Sequence, residues 1–331
     1  MLMLVSIHVG FAQTLFETTK TAAQNGDKIS QYNLGLYYAA GNMVEQDSAE
    51  AIYWWRRAAE QDLLEAQYTL GLSYYQGKGV PVNYAQAIFW LRKAADKDYA
   101  PAQFKLGNCY YDSSGPEPDY EKAVYWFRKA ADNNYAQAQY NLAFCYYAGL
   151  GVKVDDAQML YWYRKAAEQG NDRAQNNLGS CYHNGIGVEQ DYAQAVYWYR
   201  KAAAQGNVVA QKNLGICYEN GFCVKQDPKQ AVEWYRKSAE QGYADAQCCL
   251  AYCYESGTGV AADQEQAVFW YLKAAMQGNA RAQYNLGYLF YHSSYATEYW
   301  MRKAAEQGYE SAIDWLYEEE NEVPNVSPSN G

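Results

Sequence analysis

The chain has 331 residues, of which half are hydrophobic and 17% are aromatic, and its formal net charge is −10. This composition excludes an intrinsically disordered chain, because disordered chains lack the apolar and aromatic residues that a core needs. The negative charge argues against nucleic acid and anionic lipid as main partners, since both attract positively charged surfaces.

The N-terminal segment, residues 1–12, is apolar except for Ser6 and His8 and ends in the small residues Gly10 and Ala12. Small residues at this place are typical of a signal-peptidase site, but a basic start is missing and the stretch is short. Two interpretations stay open, a truncated export signal and an apolar first helix. The first predicts a periplasmic or secreted protein and the second a cytoplasmic one. No later segment is apolar over the length that a membrane span requires.

A strict repeat follows a lone capping helix predicted over residues 14–29. A leucine and a tryptophan each recur every 36 residues, and a last tryptophan, Trp300, arrives early. Such periodicity predicts a repeat solenoid over residues 30–311 rather than two globular domains. The leucines are Leu34, Leu70, Leu106, Leu142, Leu178, Leu214, Leu250 and Leu286.

Each repeat is predicted to contain two helices. In the unit that starts at Ala66, the spacing of Ala66, Leu70 and Tyr74 places them on one face of a first helix. A glycine-rich loop leads to a second helix, in which Trp90 lies among alanines. The turn that follows carries only glycine, asparagine or aspartate, which accept a left-handed backbone after a helix. These turn residues are Gly26, Asp62, Asp98, Asn134, Gly170, Gly206, Gly242, Gly278 and Gly308.

The C-terminal end is predicted to form a second capping helix over residues 312–320. Residues 321–331 are acidic and polar and are expected to form a flexible tail.

The repeat pattern is specific enough to suggest a family. It runs Ala-Gln-x-x-Leu-Gly-x-x-Tyr, then Gly-x-Gly-Val, then Ala-x-x-Trp-x-Arg-Lys-Ala-Ala. This pattern resembles the Sel1-like repeat, a relative of the tetratricopeptide repeat, over about residues 30–316. The resemblance implies an all-α fold, a right-handed α-solenoid of about eight 36-residue helix-turn-helix repeats with capping helices. Members of the family usually act as adaptors that assemble other proteins, and many bacterial members are exported.

The same resemblance indicates a candidate binding groove. In the tetratricopeptide relatives, the face of the first helix that points away from the core leucine lines a concave groove for peptides. Carried onto this chain, the face is aromatic in repeats two to four and polar in repeats five and six. The rings of the aromatic part are Tyr68, Tyr75, Phe104, Tyr111, Tyr140, Phe144 and Tyr147, with Leu72 and Asn108 on the same face, and the polar part includes Asn176, His183, Lys212 and Glu219.

We expect the aromatic part to hold an apolar or extended segment of a protein partner, because flat rings provide contact area at low entropic cost. The alternative is that these rings only pack between neighbouring first helices. An asparagine row one residue before the leucine could bond to a ligand's backbone or between repeats, and we favour the structural role because the repeat period itself explains the row. Its members are Asn33, Asn141, Asn177, Asn213 and Asn285.

A cysteine row lies three residues after the leucine, and we interpret it as buried packing. Equivalent points on stacked helices are about 8–10 Å apart, whereas a disulfide spans at most about 7 Å between α-carbons. The row consists of Cys109, Cys145, Cys181, Cys217 and Cys253. A disulfide between Cys217 of this row and Cys223 stays open for an oxidising compartment. A zinc site from Cys217, Cys223 and Cys253 is weaker, because the spacing fits no familiar zinc motif.

Basic pairs such as Arg92-Lys93 recur in the second helices and are interpreted as charges that favour helix C-termini rather than as a phosphate-binding ridge. Of the three histidines, only His183, with Lys212 and Glu219, falls in a cluster with catalytic chemistry, and we interpret that cluster as a recognition patch.

The sequence therefore predicts a non-catalytic, monomeric adaptor that binds a protein or peptide, without cofactor, metal or nucleic acid. The alternative is an exported bacterial factor that engages a host or envelope component. A β-lactam-binding role is disfavoured, because the relatives proposed for it carry paired cysteines that this chain lacks.

Overall fold

The structure is a computed structural model that describes residues 2–112, 117–290 and 294–322; for residues 2–12, 294 and 320–322 only the backbone is described. These residues form eighteen α-helices and no strand, which confirms the predicted all-α fold class. The chain divides into two compact units, unit 1 (Met1–Gln169) and unit 2 (Gly170–Gly331).

The helices of unit 1 are α1 (Leu2–Gln24), α2 (Lys28–Ala40), α3 (Ser48–Glu60), α4 (Leu64–Gln76), α5 (Tyr84–Ala95), α6 (Ala100–Tyr111), α7 (Tyr120–Asp132), α8 (Ala136–Ala148) and α9 (Asp156–Glu168). Those of unit 2 are α10 (Asp172–Asn184), α11 (Tyr192–Ala204), α12 (Val208–Asn220), α13 (Pro228–Glu240), α14 (Ala244–Ser256), α15 (Gln264–Met276), α16 (Ala280–Leu289), α17 (Ser294–Ala305) and α18 (Glu310–Glu322). The even-numbered helices α2 to α16 are the first helices of the eight repeats, and α3 to α17 are the second helices. None of the described helices combines the length and apolar character needed to cross a bilayer.

The ends of the helices differ slightly from the predicted boundaries. The first helix of repeat two begins at Leu64, two residues before Ala66, because the amide of Gln67 already bonds the carbonyl of Leu63. At the N-terminus, α1 ends at Gln24. The expected signal segment falls within α1, but its side chains lie outside the described residues, as do positions 323–331 of the expected tail.

Aspartate and asparagine side chains define where the second helices begin. From α3 to α15, each second helix follows one such residue, whose side chain accepts a hydrogen bond from a backbone N–H of the first turn. The capping residues are Asp47, Asn83, Asp119, Asp155, Asp191, Asp227 and Asp263.

The predicted left-handed turns after the second helices are confirmed at all nine positions, with φ from 58° at Asp98 to 98° at Gly26.

The recurring leucines form the core of the repeats, and all eight are fully buried. In repeat two, the glycine after the leucine lets the two helices approach closely, because a Cβ at Gly71 would lie 2.7 Å from Cγ of Leu91. In repeats four and seven, Ala143 and Ala251 stand at this position. The cysteine row is also buried, with free thiols, which confirms its interpretation as packing. Burial raises the pKa of Cys109 to about 11 and that of Cys145 to about 12.

A buried glutamine ties a first helix to the second helices on either side of it within a unit. Nε2 of Gln103 donates to the carbonyl of Ala95, at the end of the preceding second helix, over 3.0 Å. Its Oε1 accepts from Nδ2 of Asn133, which follows the next second helix, over 3.0 Å. We call this arrangement the glutamine clamp. The clamp explains why a glutamine recurs in the Ala-Gln of the repeat pattern: the buried carbonyl at the end of the preceding second helix needs a hydrogen-bond donor.

In the basic pair Arg92-Lys93, the two side chains have separate structural roles. Arg92 donates to the hydroxyl of Tyr110 in the next first helix over 2.6 Å, whereas Nζ of Lys93 lies 5.1 Å from the ring centres of both Phe89 and Trp90. Such cation–π contacts within a helix stabilise it modestly. Arg92 therefore joins neighbouring repeats, and Lys93 lies near the exposed ring of Phe89 and the buried ring of Trp90 in its own helix.

Candidate functional site

The aromatic rings two residues before the leucine pack partly against other rings of unit 1. Tyr68 contacts Tyr99 with ring centres 5.7 Å apart, and Phe104 contacts Tyr135 at 5.3 Å. Tyr99 and Tyr135 are the residues that precede the next first helices. These predicted site residues are half-buried, so their packing role and an exposed edge coexist.

The rings five residues after the leucine pack against their own second helix. Tyr75 contacts Tyr84 and Tyr111 contacts Tyr120, each with ring centres 5.6 Å apart. The Tyr75 ring also lies 3.9 Å from Nζ of Lys105. Burial, with the nearby carboxylate of Asp112 as a further cause, raises the pKa of Tyr75 to about 12, so its phenol stays neutral. Tyr147, by contrast, is 52% exposed.

A cavity of about 180 Å³ opens on the surface made by the first helices of repeats three and four. It is lined by Tyr111 from α6 and by Tyr140, Asn141 and Phe144 from α8. Three of these four were predicted as site residues. Its size suits one medium apolar side chain, and its aromatic walls are typical of sites that bury a partner's side chain.

Asn141 is the cavity residue that the sequence analysis did not assign to the site. Its Nδ2 donates to Oδ1 of Asn108 in α6 over 3.2 Å, so it also joins the two repeats. The bond supports the interpretation of the asparagine row as structural. Asn141 and Phe144 are three residues apart and therefore neighbours on the helix surface, so the sequence spacing could have placed Asn141 beside the site.

The polar part of the predicted site, in unit 2, is distributed over separate contacts. Asn176 is buried and its Oδ1 accepts from Asn213 over 3.2 Å. Glu219 accepts a hydrogen bond from the hydroxyl of Tyr235 over 2.6 Å, and Lys212 is half-buried. Burial, followed by the charges of Cys249 and Glu219, raises the pKa of Tyr235.

His183 belongs to a ring cluster. Its ring centre lies 5.1 Å from that of Tyr192 and 5.4 Å from that of Phe222, which comes from the loop of the next repeat. Burial lowers the pKa of His183, so the imidazole is neutral at neutral pH. This arrangement is typical of packing rather than of a group that transfers protons to a substrate.

The cysteines outside the row occupy different environments. Cys223 is exposed and Cys217 is buried, and both are free thiols. Within the part of the chain that the structure describes, no group of three or more histidine, cysteine or acidic side chains is arranged to hold a metal ion.

The repeat can now be compared with known proteins. The Sel1 repeat pattern matches eight consecutive segments, residues 28–63, 64–99, 100–135, 136–171, 172–207, 208–243, 244–279 and 280–309. Among curated proteins, none matches the chain.

Two solved structures resemble the chain in both sequence and fold. A Sel1 repeat protein from Oxalobacter formigenes is 39% identical, with a TM-score of 0.68 over 81% of this chain and 77% of that one. The protein c5321, a protective antigen of uropathogenic Escherichia coli strains with an SLR fold, is 39% identical, with a TM-score of 0.51 over 90% of this chain and 73% of that one. With eight matched segments that cover most of its length, the chain belongs to the Sel1 repeat family.

Proposed function

We propose that the protein is a non-catalytic adaptor that binds an extended segment of a protein partner along the first helices of repeats three and four. Sel1 repeat proteins generally mediate protein–protein interaction. The observation that carries the finer proposal is the aromatic cavity between α6 and α8.

The cavity differs from the packing contacts around it. Phe104 and Tyr140 contact rings of the same unit, yet the space between Tyr111, Tyr140 and Phe144 is not filled by a side chain of this protein. An apolar side chain of a partner would bury aromatic surface there, and buried aromatic anchors dominate interface energetics. The rings can therefore pack between repeats and bind a partner at the same time.

The edge of the cavity favours a peptide. The amide of Asn141 lines it and Asn108 lies within hydrogen-bond distance of that amide, so donors and acceptors lie beside the apolar walls. Main-chain groups of an extended segment need such partners when they leave water. Tyr147, next to this surface and half-exposed, offers further contact area.

A displayed peptide library selected on the intact protein tests the proposal. Selected peptides should share one apolar residue and should bind a Tyr111→Ala/Phe144→Ala variant at least about 30-fold more weakly, since loss of aromatic anchors costs about 2 kcal/mol or more. The matched control is Tyr125→Ala/Tyr161→Ala, which removes two rings that are about half-exposed on the second helices α7 and α9. Peptides that bind all three proteins equally would refute the site.

A further inference from the structure

A second cavity, of about 450 Å³, lies between repeats one and two in unit 1. Repeat one contributes Ala39, Ser48 and Trp55, and repeat two contributes Leu72, Ser73 and Lys78, among others. The sequence analysis did not predict this cavity: of its lining residues, only Leu72 was named as a groove residue, and Trp55 lies on the second helix α3.

The origin of this cavity becomes clear when the repeats are compared position by position. The residue five after the leucine is Ala39 in repeat one, and the first residue of the second helix is Ser48. In repeats two, three and five, both positions carry rings that contact each other. These ring pairs are Tyr75 with Tyr84 (5.6 Å), Tyr111 with Tyr120 (5.6 Å) and His183 with Tyr192 (5.1 Å).

Repeat five shows the same place fully occupied. There a third ring, Phe222 from the following loop, stacks on Tyr192 with ring centres 4.7 Å apart and planes 9° apart. For repeat one, the residue that corresponds to Phe222 is Lys78, in the loop of repeat two. Three ring positions are thus filled in repeat five, whereas repeat one has alanine, serine and lysine at all three.

The other residues that line the cavity provide surfaces against which a ring can pack. Trp55 lines it, and its indole is held in place because Nε1 donates to the carbonyl of Tyr32 over 3.2 Å. Leu72 supplies a second apolar wall. Ser48, Ser73 and Lys78 also line it, so the site combines an aromatic residue with polar ones. That combination is typical of pockets that bind an aromatic group with a polar substituent.

We propose that this cavity binds an aromatic side chain of the partner, a phenol or phenyl ring that takes the place of the rings which other repeats supply themselves. The inference rests on the proposed function in one respect, namely that the ring belongs to the same extended protein segment. The two cavities lie in the same unit: residues of α2, α3, α4 and their loops line the larger one, and residues of α6 and α8 line the smaller one. The partner segment then carries an aromatic residue for repeats one and two and an apolar residue for repeats three and four.

The test uses p-cresol as the probe and the indole N–H signal of Trp55 in a two-dimensional NMR spectrum of the full chain, assigned with Trp55→Phe. We expect saturable movement of this signal. Ala39→Tyr places a ring in the cavity from within, and should weaken p-cresol binding at least about ten-fold while the helical content stays unchanged. Ser48→Tyr fills the second vacant ring position and gives an independent variant if the first fails to fold.

The matched control is Ala40→Tyr, which adds the same ring at the adjacent, exposed residue and should leave p-cresol binding intact. A Trp55 signal that p-cresol does not move would overturn the proposal, as would unchanged binding in both ring-filling variants. Equal binding of isoamyl alcohol would contradict the aromatic class of ligand. Tyr111→Ala/Phe144→Ala should leave p-cresol binding unchanged, so a failure of the peptide site in repeats three and four is distinguishable from a failure of this one.

Discussion

Replacing Lys97 by glutamine should stabilise the protein, because it repairs the one incomplete glutamine clamp of the described residues. Oε1 of Gln67 is buried without a hydrogen-bond partner. In the seven other repeats, a glutamine or asparagine at the position of Lys97 donates to the corresponding oxygen over 2.7–3.0 Å. Lys97 instead pairs with the carboxylate of Asp62 at 2.8 Å.

The expected gain follows from the buried oxygen. A buried acceptor without a donor costs about 1–3 kcal/mol, and a completed hydrogen bond contributes a net 0.5–1.5 kcal/mol or so. Ordering the new side chain opposes this gain. Both side chains of the lost ion pair, Lys97 and Asp62, are exposed, so its loss changes the free energy of unfolding little. We therefore expect Lys97→Gln to raise the free energy of unfolding by about 1 kcal/mol.

Equilibrium urea unfolding of the full chain measures the effect, with hydrogen exchange of α4 and α5 as a local reading, because repeat proteins do not always unfold in one step. Lys97→Met is the control: it removes the same charge but supplies no donor. Conversely, Gln241→Lys removes the donor that Gln211 uses over 2.9 Å and should destabilise unit 2. If Lys97→Gln is no more stable than Lys97→Met, the reasoning fails.

Three further predictions test the interactions between and within repeats. Arg92→Leu and Tyr110→Phe should be coupled by about 0.5–1.5 kcal/mol in a double-mutant cycle, and additive effects would contradict the bond between them. Because burial lowers the pKa of His183 below its unfolded value of about 6.5, the unfolded state takes up the proton first as pH falls, so stability should decrease from about pH 7 to about pH 5. His183→Phe should show a smaller decrease, and an equal one would sink this assignment. A thiol reagent should label Cys223 fastest, whereas the cysteine row should react only on unfolding, as mass spectrometry would show.

The fold could be predicted from the sequence because its signals repeat. Leucine, tryptophan and left-handed turn residues recur at one spacing, so each position is supported eight or nine times over. Contacts between repeats could also be found by comparing equivalent positions in successive repeats. The arginine that bonds a tyrosine in the next first helix is replaced by Leu272 only where that tyrosine is replaced by Phe290. The glutamine clamp has a similar signal, a polar residue fixed at a core position.

The site could be predicted only in part, because its shape depends on residues from neighbouring repeats. The groove assignment found Tyr111, Tyr140 and Phe144, which follow from the helical period alone. It did not anticipate that Phe222 would enclose His183, since a loop residue of the next repeat approaches only in three dimensions. The cavity at Ala39 was missed for the opposite reason: an absent ring leaves no motif.

The most direct test of the adaptor proposal is site-specific photo-crosslinking in cells that express the protein. Benzoylphenylalanine at position 147 would replace Tyr147, which is 52% exposed on α8, and the matched control replaces Tyr161, which is 49% exposed on α9 of the same repeat. We predict a discrete protein adduct from position 147 that disappears when Tyr111→Ala and Phe144→Ala are added. Adducts from position 161 alone, or an adduct from position 147 that survives both substitutions, would contradict binding along the first helices.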